Sequence, residues 1–213
     1  RSSEARTSST LAACDSVAMT TTPTNPDTPT ATTRLICHPA TPAPAVRSVE
    51  ATIRANPDGS IALFYCLRGD IVRLRIPEDC APERMDQLWE HTCFEAFIAV
   101  CGESAYREFN FSPSGQWAAY AFKDYRQAMN ELPAIAPPSI ATRRFAGRIE
   151  VDVVLPAQSL PSGRRPWQIG ISAVIEEADT VDGSHSYWAL RHPSPRPDFH
   201  HRDAFMLDWS EKT

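Results

Sequence analysis

The chain has 213 residues, of which 22% are charged and 42% hydrophobic, and its formal net charge is −5. Arginine is scattered along the sequence, which argues against a nucleic-acid or anionic-membrane partner. No apolar run approaches the roughly 20 residues that a membrane helix needs. The apolar stretch at residues 11–13 is too short for a signal peptide, so we expect a soluble, cytoplasmic protein.

The first 44 residues are mostly Ser, Thr, Ala and Pro. Such a segment buries too little apolar surface to offset its conformational entropy. The composition therefore predicts a disordered tail over residues 1–44 and one folded domain over residues 45–213. Met19 could open a shorter product, which would leave residues 1–18 outside the native protein.

Six cysteines would suit three disulfides in a secreted protein, but the sequence has no CxxC pair. Cys14 and Cys37 fall in the predicted tail, and Cys66, Cys93 and Cys101 lie in or beside apolar strand patterns. Since cysteine readily acts as a small core hydrophobe in a reducing compartment, we expect free thiols.

Strand patterns recur about every ten residues from residue 46 onward, which is typical of a sandwich or barrel. The Asn-Pro-Asp-Gly sequence at residues 56–59 predicts a hairpin turn. Only DYRQAMNEL, residues 124–132, has a helical pattern. The predicted fold is all-β: an antiparallel two-sheet β-sandwich with one short helix and a disordered N-terminal tail.

A second hairpin is predicted where EFNFSPSGQW turns at residues 112–115. If Ser112 lies opposite Gly115, then Asn110 pairs with Trp117 and Phe109 with Ala118. Alternation along this hairpin and along LWEHTCFEAFIAV then separates two faces. The predicted core face carries Thr92, Phe94, Ala96, Ile98, Val100, Phe109, Phe111, Ala118, Tyr120 and Phe122. The opposite face carries His91, Cys93, Glu95, Phe97, Tyr106, Glu108, Asn110, Trp117 and Ala119.

The second face mixes aromatic rings with two carboxylates and an amide. A small polar ligand such as a sugar, or a planar one such as haem, requires such an aromatic floor with a few directed hydrogen-bonding groups. The alternative is a structural face that loops or the other sheet cover, with Glu95 and Glu108 held by arginines.

Four of the six histidines lie between His185 and His201. His200 and His201 with the neighbouring aspartates could bind a divalent ion, but the ligand spacing is irregular, and a loop that hydrogen-bonds its own backbone explains the same residues. Haem would need axial ligands such as a His and a Met. The available side chains are His91, His192, His200, Met85 and Met206.

Catalytic signatures such as GxSxG, HExxH, a phosphate loop and GxGxxG are absent from the sequence. Glu95 and Glu108 could form the acid/base pair of a glycosidase if they face each other across neighbouring strands. Most carboxylates on strands pair with Arg or Lys instead. The sequence therefore favours a non-catalytic protein.

Four segments in order, LWEHTCFEAFI, YREFNFSPSGQWAAYAF, SYWALRHP and PDFHHRDAFML, resemble the bacterial DOMON-like domains. These are small β-sandwich proteins related to the haem-binding and sugar-binding DOMON superfamily and to family-nine carbohydrate-binding modules. The resemblance covers about residues 46–209 and implies a ligand site on one sandwich face. Matching positions are Glu95, Asn110, Trp117, His192 and His200. A Met and His pair placed as in the cytochrome members is missing, as are a signal peptide and an attached catalytic domain, which favours a small intracellular ligand.

The leading hypothesis is a non-catalytic β-sandwich that binds a small, sugar-like ligand and no cofactor or metal. Its predicted site residues are Trp89 and Trp117 as stacking surfaces, Glu95, Glu108 and Asn110 as hydrogen-bonding groups, His91 on the same face, and His192 and His200 at the rim. The alternatives are a haem-binding, cytochrome-like domain and a carboxylate-dependent hydrolase. The sequence leaves the oligomeric state open.

Overall fold

The structure is a computed structural model that describes residues 30–129, 135–162, 166–178 and 184–210. Its regular elements are β-strands and single-turn 3₁₀ helices. The strands are β1 Thr30–Arg34, β2 Ile36–Cys37, β3 Val46–Ala55, β4 Ile61–Gly69, β5 Cys93–Val100, β6 Tyr106–Phe111, β7 Trp117–Asp124, β8 Gln127–Ala128, β9 Ser139–Phe145, β10 Arg148–Leu155, β11 Trp167–Glu177, β12 Ser184–Ala189 and β13 Leu207–Trp209. The 3₁₀ helices are Ile71–Arg73, Leu88–Glu90, Ala157–Ser159 and Arg202–Ala204.

The strands form two antiparallel sheets. The five-stranded sheet has the order β1-β3-β4-β10-β9. The eight-stranded sheet has the order β2-β12-β11-β5-β6-β7-β8, and β13 pairs with β11 beside β12. The predicted all-β, two-sheet sandwich is therefore confirmed.

One hydrophobic core lies between the two sheets and takes alternate residues from the strands of both. Tyr65 of β4 is fully buried, and its ring lies 4.9 Å from the ring of Phe94 on β5. Its hydroxyl donates a hydrogen bond of 2.9 Å to the backbone carbonyl of Glu95. Phe94, Ala96 and Ile98 belong to this core, as the alternation in β5 predicts. Their neighbours on β5 consequently point to the outer face of the eight-stranded sheet.

Two predicted boundaries are wrong. Residues 30–44 were assigned to the disordered tail, but they contain β1 and β2, and Leu35 is almost completely buried. Backbone pairing of these Thr-rich residues with β3 and β12 stabilises a segment that has little apolar surface. The predicted helix over residues 124–132 is replaced, up to residue 129, by a turn and the short strand β8; residues 1–29 and 130–134 lie outside the described residues.

The predicted register of the β6–β7 hairpin is also wrong, whereas the hairpin itself and the turn at residues 56–59 are confirmed. The backbone N–H of Ser112 donates to the carbonyl of Gln116, so the loop holds one more residue than expected. Gly115, with φ of +96°, takes the left-handed position in this longer loop. Phe111 therefore pairs with Trp117. A shift of one residue moves every side chain of β7 to the other face.

The loop before β13 covers part of the outer face of the eight-stranded sheet. The ring of Phe205 lies 5.6 Å from that of Phe97 on β5. Gly170 of β11 lies beside Phe97 in the sheet, and a Cβ at this position would come within 3.0 Å of the Phe205 ring. Because Gly170 has no side chain, the ring of Phe205 can pack directly against the sheet at this position.

Within the described residues, no helix is long and apolar enough to cross a membrane. The described cysteines, Cys37, Cys66, Cys80, Cys93 and Cys101, are free thiols, as predicted. Burial raises the pKa of Cys93 well above its usual range, so this thiol stays protonated and unreactive at neutral pH.

Candidate functional site

A pocket of about 370 Å³ opens on the outer face of the eight-stranded sheet. Residues of β5, β6, β7, β11 and β12 form its floor and sides. The 3₁₀ helix Leu88–Glu90 supplies one rim, and residues 197–200 supply the other. This pocket combines aromatic walls with buried carboxyl groups.

Two pairs of aromatic rings form the walls of the pocket. Trp89 is 40% exposed, and its ring lies edge-on to that of Tyr120 at 5.7 Å. Across the opening, the rings of Tyr187 and Phe199 lie 5.9 Å apart. The Tyr120 hydroxyl donates to Asp86 at 2.8 Å, which fixes its ring. Such rings offer apolar surface and ring faces to a ligand without losing much rotamer freedom.

Two carboxyl groups lie at the base of the pocket on neighbouring strands. Glu95 of β5 lies opposite Asn110 of β6 in the sheet, and Glu108 lies two residues before Asn110 on the same face. Both glutamates are buried, with 3% and 6% of their surface exposed. Oε2 of Glu95 accepts a hydrogen bond from the Ser172 hydroxyl at 3.3 Å, and Oε1 of Glu108 accepts one from Nδ2 of Asn110 at 2.8 Å.

The environment disfavours ionisation of both carboxyl groups. Burial raises the pKa of Glu95 well above its usual range, and the negative charge of Glu108 raises it further. Burial also raises the pKa of Glu108, to about 7, although the Asn110 hydrogen bond and the charge of Arg126 act in the opposite direction. Near pH 7 Glu108 therefore exchanges between its protonated and ionised forms, so the carboxyl pair can donate as well as accept hydrogen bonds.

His200 closes the pocket above Glu108. Its Nδ1 lies 2.9 Å from the hydroxyl of Tyr106, which in turn accepts a hydrogen bond from the backbone N–H of Arg126. Burial lowers the pKa of His200 to about 4, and the charge of Arg126 contributes, so the ring is neutral at pH 7. Since the Tyr106 hydroxyl already accepts from the Arg126 N–H, we assign it as the donor to Nδ1, which places the ring proton on Nε2, 3.6 Å from Oε2 of Glu108. This distance is too long for a hydrogen bond.

Arg126 is the cationic side chain that lines the pocket among the described residues. It lies in the turn between β7 and β8 with a positive φ of 53°. Its guanidinium forms an ion pair of 3.0 Å with Asp198, which also accepts a 2.7 Å hydrogen bond from the Tyr125 hydroxyl. Burial opposes ionisation of Asp198, but the hydrogen bonds from Tyr125 and Arg126 hold its pKa below the usual value. Arg126 thus has its counter-ion within the protein.

The structure brings four of the predicted site residues together: Trp89, Glu95, Glu108 and His200 all line the pocket. Asn110 is fully buried one layer behind Glu108 and holds that carboxyl group without lining the pocket. The alternative that arginines pair with Glu95 and Glu108 is wrong for the described residues, since neither forms an ion pair with Arg or Lys there.

Three predicted residues lie elsewhere. Trp117 packs in the core between the sheets, because the longer hairpin loop turns its side chain inward. His91 precedes β5 and lies away from the pocket, where its Nδ1 contacts Glu176 at 2.9 Å. His192 lies against Ile36 and His38, with its Nε2 2.8 Å from the Ile36 carbonyl.

Sequence reasoning missed several lining residues. Tyr120 and Phe122 were assigned to the core face by the same register error that misplaced Trp117. Arg126 was assigned to a helix that is a turn in the structure. Tyr187 could have been found, because the alternation in SYWAL places it opposite the core residue Trp188. Phe199 had no signal beyond its place in the histidine-rich loop.

The pocket does not supply the ligands that a cytochrome-like haem would need. Its lining contains His200 but no methionine, and both candidate methionines, Met85 and Met206, are exposed elsewhere. Each ring nitrogen of His200 already faces Tyr106 or Glu108. The described residues likewise contain no cluster of three or more His, Cys, Asp or Glu placed to hold a metal ion, and Asp198 is paired with Arg126.

Comparisons with known proteins support the fold. No family model and no curated protein matches the chain. Among solved structures, the chain is similar to one described as "a putative carbohydrate-binding protein" from Bacteroides uniformis, with a TM-score of 0.51 and 16% sequence identity. The match covers 82% of this chain and 83% of that chain. At this identity, the chain shares its β fold with that protein, and the narrower resemblance to DOMON-like domains stays a prediction.

Proposed function

We propose that the protein is a non-catalytic β-sandwich that binds a small, polar, sugar-like ligand in the pocket on the outer face of its eight-stranded sheet. The observation that carries this proposal is the pairing of aromatic walls with buried carboxyl groups in one open pocket. Apolar walls with a few directed polar groups are typical of small-molecule sites. An outer sheet face with only a structural role would not need an opening above Glu95 and Glu108.

Each part of the pocket has a role in this proposal. Trp89 and Tyr120 would contact the C–H surface of a sugar ring. Glu95 and Glu108 would exchange hydrogen bonds with hydroxyl groups, since a carboxyl group near its pKa can serve as donor or acceptor. The volume of about 370 Å³ is near the lower end of the 300–1,000 Å³ range of small-molecule pockets. This size favours a ligand of one or two rings over a polymer.

The structural neighbour supports the ligand class. It is described as "a putative carbohydrate-binding protein", and both chains share a fold over most of their length. The exposed ring of Trp89 and the absence of any methionine from the pocket lining also fit a sugar better than haem.

A binding screen with a matched control tests this proposal. Neutral monosaccharides and disaccharides are titrated calorimetrically into the wild type and into Trp89→Ala and Phe145→Ala. Phe145 is a suitable control because it is 39% exposed, close to the 40% of Trp89, but lies on the five-stranded sheet. We expect Trp89→Ala to weaken binding at least tenfold and Phe145→Ala to bind like the wild type. Equal binding by all three proteins, or no binding by any, would contradict the proposal.

A carboxylate-dependent hydrolase is the second candidate, and the shared pocket of Glu95 and Glu108 favours it. A carboxylic acid with a pKa of about 7, such as Glu108, can act as a general acid at neutral pH. Turnover of aryl glycosides that stops in both Glu95→Gln and Glu108→Gln would establish this activity. The binding proposal predicts no turnover above the uncatalysed rate.

A further inference from the structure

We infer that the ligand carries a protonated amine, which Glu95 and Glu108 bind within the aromatic walls of the pocket. This inference rests on the proposed function and narrows it from sugar-like ligands in general to amino-substituted ones. It follows from the charges that the protein itself leaves unmatched at the base of the pocket.

Glu95 and Glu108 differ from Glu176, another buried glutamate on the outer face of the eight-stranded sheet. Glu176 forms a 2.9 Å ion pair with Arg75 and contacts His91. A buried carboxylate without a cation or several donors is strongly disfavoured. In the described residues, Glu95 and Glu108 each have one uncharged side-chain donor within hydrogen-bond distance, and they lie close enough to repel each other.

The positive charges near the pair do not neutralise it. The ion pair with Asp198 occupies the guanidinium of Arg126, and the neutral ring of His200 adds no charge at pH 7. Among the side chains that line the pocket, Glu95 and Glu108 therefore have no cation of their own, since Arg126 is already paired with Asp198. A positively charged ligand group would restore the balance.

The walls of the pocket favour the same ligand group. An ammonium within about 6 Å of a ring face is attracted by the ring quadrupole, and the attraction grows when water is excluded. Six aromatic side chains line this pocket: Trp89, Phe97, Tyr120, Phe122, Tyr187 and Phe199. An ammonium has three donors and no acceptor, and Glu95 and Glu108 offer it carboxylate oxygens at the base of these walls.

The charge of the ligand decides how binding depends on pH. A protonated amine needs ionised carboxylates, so its binding releases protons from the pair and strengthens as the pH rises from 6 to 7.5. A neutral sugar can accept hydrogen bonds from protonated carboxyl groups, so its binding has no such increase. The other titratable or polar groups that contact or act on the pair are Tyr65, Cys93, Tyr106, Asn110, Tyr120, Arg126, Ser172, Tyr187 and His200, and Asp198 acts through its ion pair with Arg126.

Calorimetry on matched ligands tests the inference. Glucose, galactose and mannose are each compared with their 2-amino and N-acetylated 2-amino derivatives at pH 7, in two buffers with different ionisation enthalpies. Ethanolamine serves as an amine without a ring. We expect at least one 2-amino sugar to bind ten times more tightly than its parent and its N-acetyl derivative, with release of protons.

The variants Glu95→Gln and Glu108→Gln should bring this affinity ratio close to one. Glu150→Gln on the five-stranded sheet is the control and should keep it. Thermal unfolding of each variant confirms that the fold survives.

The outcomes separate this inference from the proposed function. If parent sugars bind as tightly as the amino sugars, or the ratio survives in both pocket variants, the inference is overturned and sugar binding stands. If no sugar binds but ethanolamine binds and Glu108→Gln abolishes this binding, the inference of an amine ligand is supported and the proposal of a sugar-like ligand is wrong. If no ligand of the panel binds, both proposals are contradicted.

Discussion

Glu150 on the outer face of the five-stranded sheet and Glu95 on that of the eight-stranded sheet have opposite environments. On the five-stranded sheet, Glu150 lies directly opposite Arg143 and accepts hydrogen bonds from it at 3.0 Å and from Arg148 at 2.7 Å. These hydrogen bonds hold the pKa of Glu150 below its usual value. On the eight-stranded sheet, Glu95 lies opposite Ser172 and Asn110, which carry no charge, and burial raises its pKa.

The difference comes from what covers each face. Glu150 pairs with arginines on a face open to water, where such pairs contribute little. The loop that packs against Phe97 shields Glu95 and Glu108 from solvent, yet it brings them no free cation. An open pocket above an unfavourable buried pair supports the proposed binding site, because a protein that needed only stability could fill the same positions with apolar residues.

The largest change in stability is expected for Trp117, and it tests on which face of the eight-stranded sheet this side chain lies. Its side chain packs in the core between the sheets and is 8% exposed. Trp117→Ala should therefore lower the free energy of unfolding by about 3–5 kcal/mol, measured by urea denaturation. Trp89→Ala removes a ring that is 40% exposed and should change stability far less. A smaller loss for Trp117→Ala than for Trp89→Ala would contradict the assignment of the two faces.

The next effect concerns the pH dependence of stability caused by Glu108. Its pKa rises from 4.5 in the unfolded chain to about 7 in the folded protein, so between these values the folded state binds more protons. Stability should fall as the pH rises through this window, by about 3 kcal/mol for such a shift. Glu108→Gln should remove this fall, so the variant gains stability relative to the wild type from pH 5 to pH 8. No such gain would show that Glu108 ionises without penalty.

His200 should change the pH dependence of stability in the opposite direction to Glu108. Its pKa falls from 6.5 in the unfolded chain to about 4 in the folded protein, so in this window the unfolded chain binds more protons. The stability that depends on neutral His200 is present above pH 6.5 and is lost as the pH falls towards 4. In His200→Gln, the free energy of unfolding should therefore fall less between pH 6.5 and pH 4 than it does in the wild type. If the free energy of unfolding of this variant falls over the same pH range as strongly as that of the wild type, another group causes the loss of stability.

The smallest effect is expected on the five-stranded sheet. Glu150→Gln removes a partly buried partner of Arg143 and Arg148, whose charges salt screens. Its unfolding midpoint should change less than that of Glu108→Gln, and in the opposite direction at neutral pH. The difference from the wild type should shrink further in 1 M salt. A larger change in the unfolding midpoint for Glu150→Gln than for Glu108→Gln would contradict the difference proposed between the two faces.

The sequence predicted the fold and part of the site for identifiable reasons. Alternation in β5 depends on the strand alone, so it placed Phe94 in the core and Glu95 on the outer face correctly. The position of Trp117 depended on the length of a loop, where one extra residue inverts the result. Contacts such as that between Tyr106 and His200 join residues far apart in the chain, and no local pattern encodes them. Residues 30–37 form strands only because β3 and β12 offer them partners.

A carboxyl titration tests the central claim most directly. The protein is labelled with ¹³C at the side-chain carboxyl carbon of glutamate, and chemical shifts are followed by NMR from pH 3 to pH 9, with Glu95→Gln and Glu108→Gln for assignment. The account predicts that the signal of Glu108 titrates near pH 7 and that the signal of Glu95 also titrates above the ordinary range, whereas Glu150 titrates below it. Ordinary titration of all three residues would contradict the claim that the pocket keeps an unmatched carboxyl pair for its ligand.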